Sequence, residues 1–224
     1  MAAGDLTPVQ GTVDQGNFYP YGLPAQLRLS PLRHAFVDQV QPSRVELVRM
    51  GKVFSANLGT GAAATGTQSV AQMPTTATIM ALWNGNTVAS NIHLVILKVS
   101  AWVFAGTMGL GKSMICGVAS ASQSAVTKGT GAVGPTNNLL TSTNVSAAII
   151  GQATVLGGAP PWVVVAGADS PSAIEIGASM AADVEGLFIV PPQFAFGMHV
   201  LGGAGTAPLY LGSVCWAEYP LIAQ

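Results

Sequence analysis

Charged side chains are scarce in this sequence. Its 224 residues include eight Lys and Arg and nine Asp and Glu, which is 8% of the chain, whereas a soluble domain carries about 25%. No Asp or Glu occurs between Leu47 and Ala168. Because charged residues normally cover the surface of a monomer, we expect copies of the chain or another protein to cover much of this one. The scarcity also removes the carboxylates that most catalytic and metal sites use, so we predict no enzyme, no metal site and no cofactor.

Long apolar segments and basic clusters are scarce too. The two most apolar segments, 92–110 and 145–168, are interrupted by Lys98 or by glycines and prolines. Neither provides the roughly 20 apolar residues of a membrane-spanning helix. The first residues lack the basic and apolar regions of a secretory signal, and no basic footprint for nucleic acid is present. We therefore expect a protein folded in the cytoplasm, without a membrane, nucleic-acid or small-molecule substrate partner.

The two cysteines, Cys116 and Cys215, are too few for a disulfide framework. Both are flanked by apolar residues in predicted strands, which favours buried free thiols. A disulfide between them stays open as an alternative.

Residues 1–43 differ from the rest of the chain. Five prolines recur at intervals of 4 to 12 residues, and aromatic residues cluster beside glycines. Because proline disrupts both helices and central strands, we predict an extended N-terminal arm that lies on another surface. Its predicted partner-binding anchors are Phe18, Tyr19, Tyr21, Leu27 and Leu29.

Residues 44–224 predict an all-β domain. Eight to ten short apolar runs, among them 45–55, 92–105 and 113–119, are separated by glycine-rich segments, and no convincing amphipathic helix occurs. We predict that Gly202 to Gly205 turn the chain. The expected fold is an antiparallel β-sandwich of the jelly-roll type. Large side chains in these strands are predicted to anchor a trimer interface: Trp102, Phe104, His199 and Trp216.

One motif favours a different function. Gly106 to Ser113 match the phosphate-binding pattern GxxxxGKS after an apolar strand, with Lys112 and Ser113 in the positions that contact phosphate and Mg²⁺. The following residues, 114–120, are not typical of the helix that such a loop needs, and no alternation of strands and helices surrounds them. We therefore predict a glycine-rich hairpin here and keep a P-loop nucleotide-binding protein as an alternative.

The arm, the low-charge β-domain and the terminal segment Leu209–Tyr219 together resemble structural proteins of tailed bacteriophages. Among these, the chain is most similar to capsid decoration (cement) proteins and head fibres. The resemblance implies a homotrimer on the capsid surface of a virion, bound to the major capsid protein and stabilising the capsid lattice. It implies no catalytic residues.

A phage fibre or receptor-binding head is the second alternative. Such a head needs exposed aromatic residues in its apical loops, and residues 120–145 contain no aromatic residue. This absence favours the decoration protein.

Overall fold

The structure is a computed structural model that describes residues 28–29, 35–36, 43–58, 78–120, 126, 132–152, 161–170 and 179–220. The description covers the backbone alone at residues 28–29, 35–36, 43, 108–113, 120, 168–170 and 203–208. The chain divides into two units, residues 1–45 and 46–224. In the first unit, Arg28 pairs with Phe36 and Leu29 pairs with Ala35 in a short antiparallel ladder.

The described residues contain one α-helix, one 3₁₀-helix and eleven strands. The helix α1 spans Ser43–Arg49 and the 3₁₀-helix spans Val88–Ser90. The strands are β1 Arg28–Leu29, β2 Ala35–Phe36, β3 Val53–Asn57, β4 Met80–Trp83, β5 Ile92–Ser120, β6 Val133–Asn137, β7 Ile149–Gln152, β8 Val163–Ser170, β9 Ser179–Asp183, β10 Ile189–Val190 and β11 Ala195–Pro220.

Two antiparallel sheets pack as a sandwich, as the sequence predicts. In the first sheet the order is β6, β3, the second half of β11 (209–220) and the first half of β5 (92–105). Strands β9 and β10 follow on the other side of β5. In the second sheet the strand order is β7, β4, the first half of β11 (195–201), the second half of β5 (114–120) and β8. Counting the two halves of β5 and β11 separately, this is the strand order of a jelly roll, and that prediction is confirmed.

Strands β5 and β11 run through both sheets, whereas the sequence predicts shorter, separate strands. The expected separate strands 92–105 and 113–119 form one strand, and the expected turn at Gly202 to Gly205 also lies inside a strand. Gly203 pairs with Gly109 and Thr206 with Thr107, with register shifts around them. Gly106 has a φ of +74°, which a glycine adopts without strain. Glycines therefore bend the paired strands at this point instead of ending them.

Helix α1 corrects the prediction of a β-like run over 45–55. Glu46 lies in its first turn and Arg49 in its last, which suits the helix dipole. The helix ends in a Schellman arrangement, since the Gly51 and Lys52 amides donate to the carbonyls of Val48 and Leu47 at 2.8 and 3.0 Å. Gly51 has a φ of +62° there. These local end signals outweigh the β-branched residues in the helix.

The main core lies between the two sheets. Phe54 and Trp216 of the first sheet stack with ring centroids 6.1 Å apart. They join Ile115, Phe196 and Met198 of the second sheet in one buried cluster. A smaller cluster on the outer face of the first sheet packs under α1 and includes Val53, Val95, Leu97 and Ala217.

Candidate functional site

A cavity of about 160 Å³ lies at one end of the sandwich, and we call it the end cavity. Four segments that converge at this end supply its polar lining: Lys52 before β3, Asn86 after β4, Asn144 between β6 and β7, and Glu218 near the end of β11. The lining also includes Val145, which is 87% exposed, so the cavity opens to solvent.

Glu218 is the buried ionisable group of this cavity. Its residue is 7% exposed. The Ser146 hydroxyl and the Trp216 Nε1–H (3.0 Å) both donate to its Oε1. Charge-assisted hydrogen bonds of this kind fix a carboxylate in place. Both donors contact Oε1, and Oε2 receives no hydrogen bond from a described residue.

Lys52 lies opposite Glu218 in the antiparallel ladder. The Glu218 amide donates to the Lys52 carbonyl at 2.9 Å, which continues the register of Val53 with Ala217. Residues directly opposite each other in such a pair extend to the same face of the sheet. The end cavity therefore combines one cationic and one anionic side chain.

Two asparagines line the cavity, and their side-chain nitrogens are held by neighbouring residues. Asn86 uses its Nδ2 to donate to Asn84 Oδ1 at 2.9 Å, and Asn144 uses its Nδ2 to donate to the Gly51 carbonyl at 3.0 Å. The side-chain oxygens of Asn86 and Asn144 receive no hydrogen bond from a described residue. Each of these oxygens can accept hydrogen bonds.

The four predicted trimer-interface residues differ in how much of their surface is exposed. Phe104 is 41% exposed, and Trp102 is partly buried against the main core. In contrast, Trp216 and His199 have no exposed area. We correct the interface prediction for these two, because side chains inside the fold of their own chain present no surface to a second chain.

His199 instead belongs to an apolar cluster on the outer face of the second sheet. Its ring lies edge-on to Trp162, with ring centroids 6.2 Å apart. Trp162 also packs with Cys116 and Ala195 in a buried cluster. Ala195, Gly197 and His199 leave little side-chain bulk on this strand face, and Trp162 fills the space beside it.

Cys116 and Cys215 are both free thiols, so they do not form the disulfide that the sequence left open. Cys116 is fully buried. Desolvation raises the pKa of its thiol to about 11. A protonated, buried thiol is a poor nucleophile.

The GxxxxGKS segment lies inside strand β5. Residues 111–114 pair with 167–170 of β8, and Lys112 faces Asp169 in the register. The strand continues to Ser120, where a P-loop needs a helix whose amino end faces the phosphates. The predicted hairpin is also corrected, because the segment is a continuous bent strand.

The predicted arm anchors Phe18, Tyr19, Tyr21 and Leu27 lie outside the described residues. Leu29 lies in β1, where the backbone alone is described.

Within the described ranges, no three His, Cys, Asp or Glu side chains come together as a metal site. No α-helix in the described part of the chain has the length and apolar character to cross a membrane.

None of the residues predicted from the sequence as site residues lines the end cavity. One sequence signal for Glu218 exists, since it follows Trp216 by two residues and so shares the inner face of the terminal strand. A carboxylate on an inner face requires hydrogen-bond donors, and this requirement points to a built polar site.

No family model matches this chain, and neither a curated protein nor a solved structure matches it.

Proposed function

We propose that this chain is a virion structural protein, a capsid decoration protein that assembles as a homotrimer and stabilises the capsid lattice. Its β-domain forms the trimer and its N-terminal arm binds the major capsid protein. It acts at the capsid surface and performs no catalysis.

The part of the outer face of the first sheet around Ser100, Trp102 and Phe104 carries this proposal, and we call it the Phe104 face. Ser100 lies opposite Ala181 in the register, and Trp102 lies opposite Ser179. On the other side of β5, Ser100 Oγ contacts Ser213 Oγ at 2.6 Å. Phe104 follows on the same side of the strand with 41% of its surface exposed. Small neutral residues beside two aromatic residues form a surface that another copy of the chain can cover.

Charge on the Phe104 face is balanced at its margin. Lys98 lies opposite Asp183 in the register between β5 and β9. Opposite charges at this position compensate each other. The rest of the face is neutral, so contact with another copy of the chain carries little desolvation cost there.

The strand order supports the same proposal at the level of fold. Jelly rolls are common in viral capsid proteins, and they also occur in lectins and cupins. Since a fold hosts many functions, the charge-poor surface and the predicted arm make the capsid the preferred context. A trimer with three arms gains affinity because each bound arm raises the local concentration of the others.

The deciding experiment is the native mass by light scattering after size-exclusion chromatography, with and without Mg-ATP. We expect about three times the chain mass of 22.7 kDa in both conditions. A monomer contradicts the proposal. A mass that changes with nucleotide favours the P-loop alternative.

A matched pair of variants then tests the Phe104 face. Phe104→Glu places a charge in the proposed interface and should shift the native mass toward the monomer. Leu140→Glu is the control, because Leu140 lies in the turn after β6 and is 91% exposed. A Phe104→Glu protein that keeps the mass of the wild type excludes this face as the interface.

A further inference from the structure

We propose that the end cavity is a binding site for a single hexose ring, either a free sugar or the terminal unit of a glycan. This inference concerns a ligand site and is independent of the proposed assembly function.

The size of the end cavity limits the ligand to one ring. Its volume is about 160 Å³, and a protein cavity of about 150 Å³ accommodates benzene. Pockets for drug-sized molecules are larger, from roughly 300 Å³ upward. A hexose has twice as many heavy atoms as benzene, so part of one sugar ring enters the cavity and the rest lies at its open mouth beside Val145.

The charge of the lining favours a neutral ligand. Lys52 and Glu218 lie opposite each other and compensate. A free anion would be attracted by Lys52 and repelled by Glu218, and a free cation the reverse, so neither ion gains a net attraction from this pair. A neutral ligand with many hydroxyl groups can instead form hydrogen bonds with both charged side chains.

The hydrogen-bonding groups of the lining match those of a sugar. Each sugar hydroxyl can donate one hydrogen bond and accept others. The Glu218 carboxylate and the side-chain oxygens of Asn86 and Asn144 are acceptors, and the Lys52 ammonium group is a donor. Apolar side chains complete the lining beside the C–H groups of the ring, among them Ile92 and Val145.

The polar groups are held before any ligand binds. Hydrogen bonds from Ser146 and Trp216 hold the Glu218 carboxylate. The side chain of Asn86 is held by Asn84. The side chain of Asn144 is held by the backbone carbonyls of Met50 and Gly51. A site that is already ordered loses little conformational entropy on binding. We expect a dissociation constant on the order of 1 mM for one hexose, which is typical of a ligand of this size.

The test is binding of a panel of methyl hexosides by saturation-transfer NMR, together with a glycan array. The panel consists of the methyl glycosides of glucose, galactose, mannose and N-acetylglucosamine. We expect at least one of them to bind the full-length protein at concentrations up to roughly 50 mM. Binding of methyl hexosides in solution identifies a free sugar as a sufficient ligand. Binding on the array alone identifies the glycan terminus as the source.

A pair of exposed variants locates the site. Val145→Trp fills the mouth of the end cavity and should weaken binding by about tenfold or more. Leu140→Trp places the same side chain at a more exposed position of the same loop, outside the cavity lining, and should bind like the wild type. Glu218→Gln should also weaken binding, provided that its native mass and unfolding midpoint stay close to those of the wild type.

Two outcomes overturn the proposal. One is that neither a methyl hexoside nor a glycan on the array binds the wild-type protein. The other is that Val145→Trp and Leu140→Trp bind a sugar equally well. Neither outcome depends on the oligomeric state, so the failure of this proposal and the failure of the assembly proposal are distinguishable.

Discussion

Cys116 provides a pH-dependent test of burial on the outer face of the second sheet. Its side chain is fully buried, and desolvation raises its pKa from 9.0 to about 11. The unfolded chain therefore releases the proton at a lower pH than the folded chain, and folding stability falls as the pH rises from 9.0 toward 11. The stabilising contribution is fully present below pH 9.0.

We expect Cys116→Ala to remove this part of the alkaline loss. Between about pH 8 and about pH 10, the wild type should lose about 1 kcal/mol more unfolding free energy than the variant. The measurement is urea unfolding at both pH values. The cost of deleting the thiol is the same at both, so the comparison isolates the ionisation. Equal losses in the two proteins contradict the prediction.

Ser146 determines how well Glu218 tolerates burial. Its hydroxyl donates to the Glu218 carboxylate and accepts from the Ala148 amide at 3.0 Å. Ser146→Ala leaves both partners without this group, and we expect a loss of about 1–3 kcal/mol in unfolding free energy. Thr143→Ala, at an exposed position in the same loop, should change the free energy by at most about 0.5 kcal/mol. Equal urea midpoints for the two variants show that the contact with Glu218 adds no stability.

At the scale of elements, Gly51 is the residue on which the end of helix α1 depends. Its φ of +62° disfavours any other residue, and an added Cβ meets the Ser142 side chain and, at 2.9 Å, Asn144 Nδ2. We expect Gly51→Ala to lower the unfolding free energy by at least about 2 kcal/mol. Met50→Ala, a half-exposed position beside it, is the control and should be nearly neutral in urea unfolding. A loss of equal size in both variants contradicts this account of the helix end.

The same helix shows where sequence patterns fail to predict an element. Val45, Leu47 and Val48 have β-branched or apolar side chains that a strand also accepts. The deciding signals are the Ser43-x-x-Glu46 spacing and Gly51, which are typical of helix ends. Each of these signals involves only one or two residues, so a prediction based on the alternation of apolar residues misses the helix.

The bends of β5 and β11 could not be predicted from either strand alone. A glycine-rich segment has a weak local preference, and in isolation it is typical of a turn. Here Gly109 and Gly203 lie opposite each other, so each segment stays extended because the other pairs with it. The sandwich class was predictable because each strand shows its own alternation, whereas the continuity of the two strands depends on contacts about 90 residues apart in sequence.

At the scale of the whole molecule, the end cavity was not predictable from spacing. Lys52, Asn86, Asn144 and Glu218 lie in four separate segments, and only the jelly-roll topology brings these segments to one end. The exposure of Phe104 was also not predictable from the sequence alone. Alternation predicts which side of β5 the residue occupies, and the packing of the two sheets makes that side the outer one.

Attachment to a capsid is the prediction that involves the whole assembly. Phe18, Tyr19 and Tyr21 are the clustered aromatic residues of the arm, and aromatic anchors contribute a large share of the binding energy in protein interfaces. Replacing all three with alanine weakens each arm of a trimer. Because the affinities of linked arms combine, moderate losses in each become a large loss of capsid binding.

We therefore expect the Phe18→Ala, Tyr19→Ala, Tyr21→Ala triple variant to keep the native mass of the wild type and to lose attachment to capsids of the virus that encodes it. The readout is the amount of protein per purified capsid. A control variant with Gln10, Gln15 and Asn17 changed to alanine alters polar residues of the same arm and should attach normally. If the aromatic variant still decorates capsids at full occupancy, the arm is not the anchor, and the capsid must instead contact the β-domain.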